Sequence, residues 1–112
     1  MQFDESQPIY LQVVLQIKKE IVTGRKKNGE KLKSGRELAL EYHINPNTAA
    51  RVYQTLEAEG VAFTKRGLGT FVTEDAEVNV SLRKELAADF IARFKKDMSE
   101  IGFTEEEMRT LI

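Results

Sequence analysis

The sequence contains no cysteine and no tryptophan, and it has a single histidine among 112 residues. Without cysteine, the chain can form neither a disulfide framework nor a thiolate metal site. The lone His43 falls in a predicted turn, and no partner set for nucleophilic catalysis and no phosphate-binding glycine loop accompanies it. We therefore predict no catalytic site, no metal site and no cofactor, and we do not expect an enzyme.

Long apolar runs are absent as well. No stretch approaches the roughly 20 apolar residues that a membrane-spanning helix needs. The first residues, 1–5, lack the basic and apolar regions of a signal peptide. We therefore expect a cytoplasmic protein with no membrane partner. Because 41% of the residues are apolar and 31% are charged, we expect one folded domain with a short appendage.

Charge is divided unevenly along the chain, although its net value is only −1. Residues 1–73 carry 11 Lys and Arg against 8 Asp and Glu, a net charge of +3. Residues 74–112 carry 6 against 10, a net charge of −4. Such an excess also arises by chance, so it has meaning only together with a motif. With one, it indicates that the first part faces phosphate.

Two helices are predicted in the first half of the N-terminal part. The first covers residues 8–23, with proline in its first turn and Gly24 placed to end it. The second begins at Ser34, because Ser34 and Glu37 have the spacing of a capping box. We expect it to end at about Tyr42, with His43 in the following turn.

A third helix is predicted from Asn45, a good N-cap residue followed by Pro46, to about Glu59, before Gly60. At 100° per residue, one face of this helix is apolar and the other carries amides, a hydroxyl and a guanidinium, which are groups that contact base edges and phosphates. The residues predicted on that outward face are Asn47, Arg51, Gln54 and Thr55.

Two short strands, residues 61–65 and 70–73, follow the third helix and flank the glycine-bearing turn Arg66–Gly69. A hairpin with a cation at its tip, placed after two helices joined by a turn, is typical of a winged helix-turn-helix. We therefore predict a mainly α fold with a small β-wing, in which residues 1–73 form the DNA-binding domain. Ordinary solubilising charges at the hairpin tip are the alternative interpretation of Lys65 and Arg66.

Residues 74–112 are predicted to form a two-helix dimerisation segment. Ser81 is placed to cap a helix over residues 82–100, and Thr104 with Glu107 forms a second capping box. The longer helix has an apolar arc about half its circumference wide, and the dimerisation residues predicted on it are Leu82, Leu86, Phe90, Ile91, Phe94 and Met98. Two alternatives stay open: the last helix folds back over this arc, or the arc lines a ligand cavity.

Four motifs in order resemble the GntR family of bacterial transcription regulators. They are a proline–aromatic–glutamine start at residues 8–12, the Arg-Glu-Leu-Ala segment 36–39, a Thr-bearing helix ending in Glu-Gly at residues 45–60, and the glycine wing at residues 67–72. The Asn-Pro-Asn-Thr segment 45–48 and the short second part are similar to the YtrA-like subfamily. That resemblance implies dimerisation through the helical tail and genes that often accompany ABC transporters.

The resemblance also assigns residues and shows two departures. Lys33 stands where the family usually has proline, and Asn45–Pro46 stands where many members have a Ser/Thr-Arg pair. For Arg36, pairing with Glu37 or Glu41 on a solvated helix is the alternative to DNA contact. The predicted DNA-binding residues are Lys33, Ser34, Arg36, Asn45, Asn47, Thr48, Arg51, Lys65, Arg66 and Gly67.

The favoured hypothesis is a sequence-specific transcription regulator, a repressor, that acts as a homodimer on a two-fold-related double-stranded DNA operator of a transporter operon. The alternative is a winged-helix module that binds a protein partner, which would require an apolar patch on the outward face of the third helix. A sensor enzyme would need a pocket and a titratable pair that the sequence does not indicate. Neither the operator nor a small-molecule effector is identified by the sequence.

Overall fold

The computed structural model describes residues 1–112 and contains five helices and one two-stranded antiparallel sheet. None of the helices combines the length and the apolar character needed to cross a membrane. In chain order the elements are α1 (Ile9–Val22), α2 (Gly35–Tyr42), α3 (Pro46–Ala58), β1 (Ala62–Lys65), β2 (Gly69–Val72), α4 (Ala76–Glu100) and α5 (Glu105–Leu111).

The predicted helix boundaries of the N-terminal part are confirmed to within two residues. Ser34 accepts from the backbone N–H of Glu37, and the Glu37 carboxylate accepts from the N–H of Ser34, so the capping box is complete. Gly24 follows α1 with a φ of +80°, and Gly60 follows α3 with a φ of +73°. These left-handed conformations suit glycine, which has no Cβ to clash with the carbonyl oxygen.

The chain divides into two units, residues 1–80, here called the head, and residues 81–112, here called the tail. In the head, α1 and α2 both contact α3, and α3 contacts β1. The core of the head is formed by side chains that are almost wholly removed from water, among them Val13, Ile17, Ile21, Val52, Leu56 and Val72.

The sheet of the head is a hairpin extended by one bridge. In β1–β2, Ala62 pairs with Val72 and Lys65 pairs with Gly69. Lys31 forms an isolated bridge with Phe71 on the other edge of β2, which the sequence did not predict. The loop between α1 and α2 therefore supports the hairpin along one side. The hairpin β1–β2 is the wing of the head.

The start of α4 differs from the prediction. Ser81 does not cap a helix, because α4 begins at Ala76 and Ser81 lies inside it. Asp75 takes the capping role, since its carboxylate accepts from the backbone N–H of Glu77 at 2.9 Å. Residues 76–81 contain no helix breaker, so once Asp75 satisfies a free N–H the helix extends from there. The tail helix α5 begins as predicted, at the capping box formed by Thr104 and Glu107.

Candidate nucleic-acid interface

The turn between α2 and α3 sets the direction in which α3 leaves the first two helices. His43 adopts a left-handed conformation, φ +54°, and Asn45 caps α3 by accepting from the N–H of Asn47 at 2.7 Å. The hydroxyl of Tyr53 donates to the carbonyl oxygen of Lys33 and ties α3 to the residue before α2. Burial raises the pKa of Tyr53, which keeps this hydroxyl protonated as a donor.

The outward face of α3 is polar and open to solvent. Asn47, Arg51 and Gln54 are exposed, and Thr48 is half-buried at the edge of the face. Thr55 differs from the expectation of a free polar group, because its hydroxyl donates to the carbonyl oxygen of Arg51 at 2.8 Å. A hydroxyl bonded one turn back within its own helix is a poor candidate for contacting a ligand.

Arg51 is the one side chain of this face with a partner on another helix. Its guanidinium carbon lies 3.9 Å from the centroid of the Tyr10 ring, and its Nη2 donates to the Tyr10 hydroxyl oxygen at 3.3 Å. Tyr10 belongs to the first turn of α1, 41 residues earlier in the chain. The sequence singled out Arg51 but gave no sign of this pairing.

The basic residues at the start of α2 behave differently from each other. Arg36 is exposed and makes no ion pair, so the alternative in which it pairs with Glu37 or Glu41 is not realised. Glu41 instead pairs with Lys33 at 3.1 Å, and both side chains are about half exposed. An exposed pair of this kind contributes little and dissociates readily, so Lys33 remains available to a phosphate.

Glu37 is bound locally and takes no part in that ion pairing. The hydrogen bond from the Ser34 backbone N–H, followed by the one from its hydroxyl, holds the pKa of Glu37 below its ordinary value near 4.5. Ser34 is therefore occupied in the capping box, although its side chain is exposed at the helix start. The carboxylate also places negative charge at the N-terminus of α2, where the helix dipole favours it.

The wing presents two cations near its tip. The Lys65 ammonium lies 5.1 Å from the Phe71 ring centroid and 5.6 Å from that of Phe63, while Arg66 is exposed. The two rings stack across the strands with centroids 5.8 Å apart, which stiffens the hairpin. Gly67 turns the chain with a φ of +79°.

Gly69 is favoured by its backbone conformation and lies close to the end of the Lys31 side chain. Its φ is +122°, and a Cβ built there would lie 2.9 Å from Cε of Lys31. A side chain at this position would push against the lysine stem in the loop between α1 and α2. Since the lysine side chain can shift, the positive φ is what favours glycine here.

The predicted dimerisation residues fall into two groups in the structure. Leu82 and Leu86 are already buried within the chain, so a second copy cannot reach them. Phe90 and Ile91 are exposed by about half, at 49% and 55%, and Phe94 and Met98 are half-buried. The exposed part of the predicted arc therefore begins at Phe90.

Within the tail, α5 covers part of this arc and leaves a cleft beside it. Met108 is buried, and Glu105 pairs with Lys95 on α4 at 3.4 Å. The cleft encloses about 340 Å³ and is lined mostly by apolar side chains. Its lining residues include Phe90, Ile91, Phe94, Met108 and Ile112.

No three His, Cys, Asp or Glu side chains lie close enough together to hold a metal ion. The exposed donors of α3, the exposed Arg36 and the wing cations are side chains that can donate hydrogen bonds to an anionic ligand. These groups come from three separate elements of the head.

The chain is similar to known transcription regulators. Residues 9–72 match the family described as bacterial regulatory proteins, gntR family. A Bacillus subtilis protein, the uncharacterized HTH-type transcriptional regulator YhcF, is 43% identical over 107 residues, which are 96% of this chain and 88% of that protein. The B. subtilis HTH-type transcriptional repressor YtrA is 44% identical over 75 residues, covering 67% of this chain and 58% of YtrA.

Solved structures agree with the fold. A GntR family transcriptional regulator from Listeria monocytogenes is 39% identical with a TM-score of 0.87, and the match covers 97% of this chain and 96% of that one. The DNA-binding domain of AraR in complex with operator ORX1 is 26% identical with a TM-score of 0.58, covering 65% of this chain and 89% of that one. The winged helix-turn-helix prediction is thereby confirmed.

Proposed function

The chain belongs to the GntR family of bacterial transcription regulators, and we propose that it is a sequence-specific repressor that binds a two-fold-related operator as a homodimer. The observation that carries the proposal is the outward face of α3, where Asn47, Arg51 and Gln54 are exposed side by side. Amide and guanidinium groups form paired hydrogen bonds with adenine and guanine edges in the major groove.

Contacts to the DNA backbone come from the elements on either side of α3 in this proposal. Lys33, Ser34 and Arg36 lie at the start of α2, and Lys65, Arg66 and Gly67 lie at the wing tip. Phosphate contacts of this kind fix the register of the protein on the duplex, whereas the α3 side chains supply base preference. Asn45 and Thr48 complete the proposed set at the N-terminus of α3, where free backbone N–H groups favour an anion.

The protein-partner alternative requires an apolar patch on α3, and the exposed residues of α3 include no large apolar side chain. AraR is seen in complex with its operator, and YtrA is named a repressor. We extend operator binding and repression from those relatives to this chain. We also propose a transporter operon as the target, because the YtrA-like resemblance suggests it.

The exposed apolar surface of the tail supports homodimerisation through this region. Phe90 and Ile91 lie on α4 beside a largely apolar cleft. In a monomer this apolar patch would be exposed to water. Two-fold pairing buries such a patch against its own copy, and it is the commonest closed assembly. The dimer would bind two half-sites separated by roughly 34 Å, one turn of DNA, or a multiple of it.

Selection of bound duplexes from a random pool tests the proposal directly. We expect an enriched inverted repeat, and the logarithm of the binding constant for it should fall with the logarithm of the salt concentration at a slope of about −7, for about four phosphates neutralised per head. Recovery of no common sequence, or a slope near zero, would contradict operator binding. Expression of a reporter behind the selected repeat, with and without the protein, then distinguishes repression from activation.

A further inference from the structure

The contact between Arg51 on α3 and Tyr10 on α1 joins the proposed base-contacting arginine to a residue of the head that has no assigned role. The guanidinium lies over the ring at 3.9 Å from its centroid and also donates to the hydroxyl oxygen at 3.3 Å. Both contacts lie within a single copy of the chain, so the Tyr10 ring limits the positions open to the guanidinium.

The segment of α1 that carries the Tyr10 ring is anchored by its neighbours. Val13 and Val14, one turn after Tyr10, are buried in the core that α1 forms with α3. At the start of α1, Gln12 exchanges two hydrogen bonds with the backbone of Asp4, at 2.7 and 2.8 Å, and holds the preceding segment against the helix. The backbone that carries the ring is therefore held to the core on one side and to the preceding segment on the other.

We propose that Tyr10 is a positioning residue that presets the Arg51 guanidinium for base contact. An arginine in water loses much of its rotamer freedom when it binds, and a ring that orders it beforehand removes part of that cost from the binding step. The Tyr10 hydroxyl occupies only one of the five N–H donors of the guanidinium, so the remaining donors are free for a base or phosphate. The inference rests on the proposed function and adds a residue to it.

The expected consequence is a loss of base preference rather than a uniform loss of affinity. Removing the ring should weaken operator binding by about two- to fivefold, the range of an exposed cation–π contact. Binding to unrelated duplex DNA should stay within about twofold, because phosphate contacts elsewhere are intact. The loss of preference should fall at the same operator base pair as that of Arg51→Ala.

A measurement on the free protein tests the stacking alone. In an NMR spectrum, the Arg51 side-chain protons above an aromatic ring should be shifted upfield. We expect this shift in the wild type and in Tyr10→Phe, and we expect it to vanish in Tyr10→Leu. Unshifted Arg51 protons in the wild type would overturn the inference before any DNA is added.

A double-mutant cycle on the selected operator tests the coupling. Tyr10→Leu should weaken binding in the wild-type background and have almost no further effect in the Arg51→Ala background. Tyr10→Phe, which keeps the ring, should retain most of the wild-type affinity and base preference. Leu11→Ala, at an exposed neighbouring position of α1, is the matched control and should leave binding unchanged. Tyr10→Gln provides a second ring-free variant should Tyr10→Leu fold poorly.

The outcomes separate this inference from the proposed function. Additive effects of Tyr10→Leu and Arg51→Ala would show that Tyr10 acts independently of Arg51, and they would overturn the positioning role while operator binding stands. If the wild-type protein shows no sequence preference, the proposed function is contradicted, and the positioning role fails with it.

Discussion

The head and the tail of this chain differ in how far their apolar side chains are buried. In the head, apolar side chains of α1, α3 and the wing are buried together within a single copy of the chain. In the tail, only Leu82, Leu86 and Met108 are buried, while Phe90 and Ile91 remain about half exposed. The head therefore has a buried core of its own, whereas the tail leaves a larger share of its apolar side chains exposed. We interpret this surplus as the site of association.

The polar residues differ between the two regions as well. The side chains of the proposed site in the head lie at the start of α2, on α3 and at the wing tip, and the exposed ones include amides and cations. Exposed charges in the tail are mixed, and several pair with each other, as Arg93 does with Asp97 at 3.9 Å. Ion pairs on a solvated helix contribute little to stability. Because the charges of the tail are mixed and partly paired, we expect a surface that contacts phosphate on the head alone.

The largest expected effect is on the stability of the dimer. It is tested by comparing substitutions on the exposed arc of α4 with substitutions on the opposite face of that helix. Replacing both Phe90 and Ile91 with Glu should weaken the dimer by at least about 4 kcal/mol, roughly a thousandfold in the dimer dissociation constant, because two apolar contacts per copy are lost. Sedimentation at micromolar concentration measures it.

The control for that variant is Ala92→Glu with Ser99→Glu, which adds the same charge at exposed positions on the other side of α4. We expect this control to dimerise like the wild type. A Phe90/Ile91 variant that still dimerises tightly, or a wild type that sediments as a monomer, would place the association surface elsewhere or remove it.

The second prediction compares the same substitution in the two regions. Ile17 is 2% exposed in the head, and Ile101 is 70% exposed in the tail. Ile17→Ala should lower the free energy of unfolding by about 2–5 kcal/mol, and Ile101→Ala should change it by no more than about 0.5 kcal/mol. Urea denaturation gives both values. Equal losses would mean that the tail has a packed core of its own and that the contrast with the head is mistaken.

The third prediction separates two basic residues of the head. Arg51→Ala should cost about 1–3 kcal/mol of operator binding and relax preference at one base pair, whereas Arg66→Ala should weaken all duplexes alike. Competition between the operator and its single-base variants measures the difference. Both proteins should still dimerise, since neither residue lies in the tail. Unchanged base preference in Arg51→Ala would reject its role in base contact.

The smallest expected effect concerns the capping box of α2. Because the pKa of Glu37 is held below its ordinary value near 4.5, the ionised carboxylate stabilises the folded head. This contribution is fully present above pH 4.5 and is lost as the pH falls below 4.5 through the lowered pKa. The difference in unfolding free energy between wild type and Glu37→Gln should therefore be present at pH 7 and shrink at pH 3. A difference independent of pH would contradict it.

Sequence reasoning predicted the helices and turns that carry the proposed site because their signals are local. The capping boxes at Ser34 and Thr104 span three residues each, and both are formed as predicted. It failed where two adequate signals competed, since Asp75 and Ser81 both suit a helix start and only Asp75 is used. It also missed the ion pair of Lys33 with Glu41, because an exposed pair between separate positions leaves no periodic pattern.

By itself, the sequence determined the order of the elements in the head, the polar face of α3 and the family. Each depends on residues a few positions apart, whose backbone preferences act before any tertiary contact forms. Only the tertiary structure decided that Arg51 rests on Tyr10, that Lys31 bridges to Phe71, and that Leu82 and Leu86 are buried while Phe90 is not. Those outcomes depend on which surfaces meet when the elements pack. An amphipathic pattern states how much apolar surface a helix has, but not what covers it.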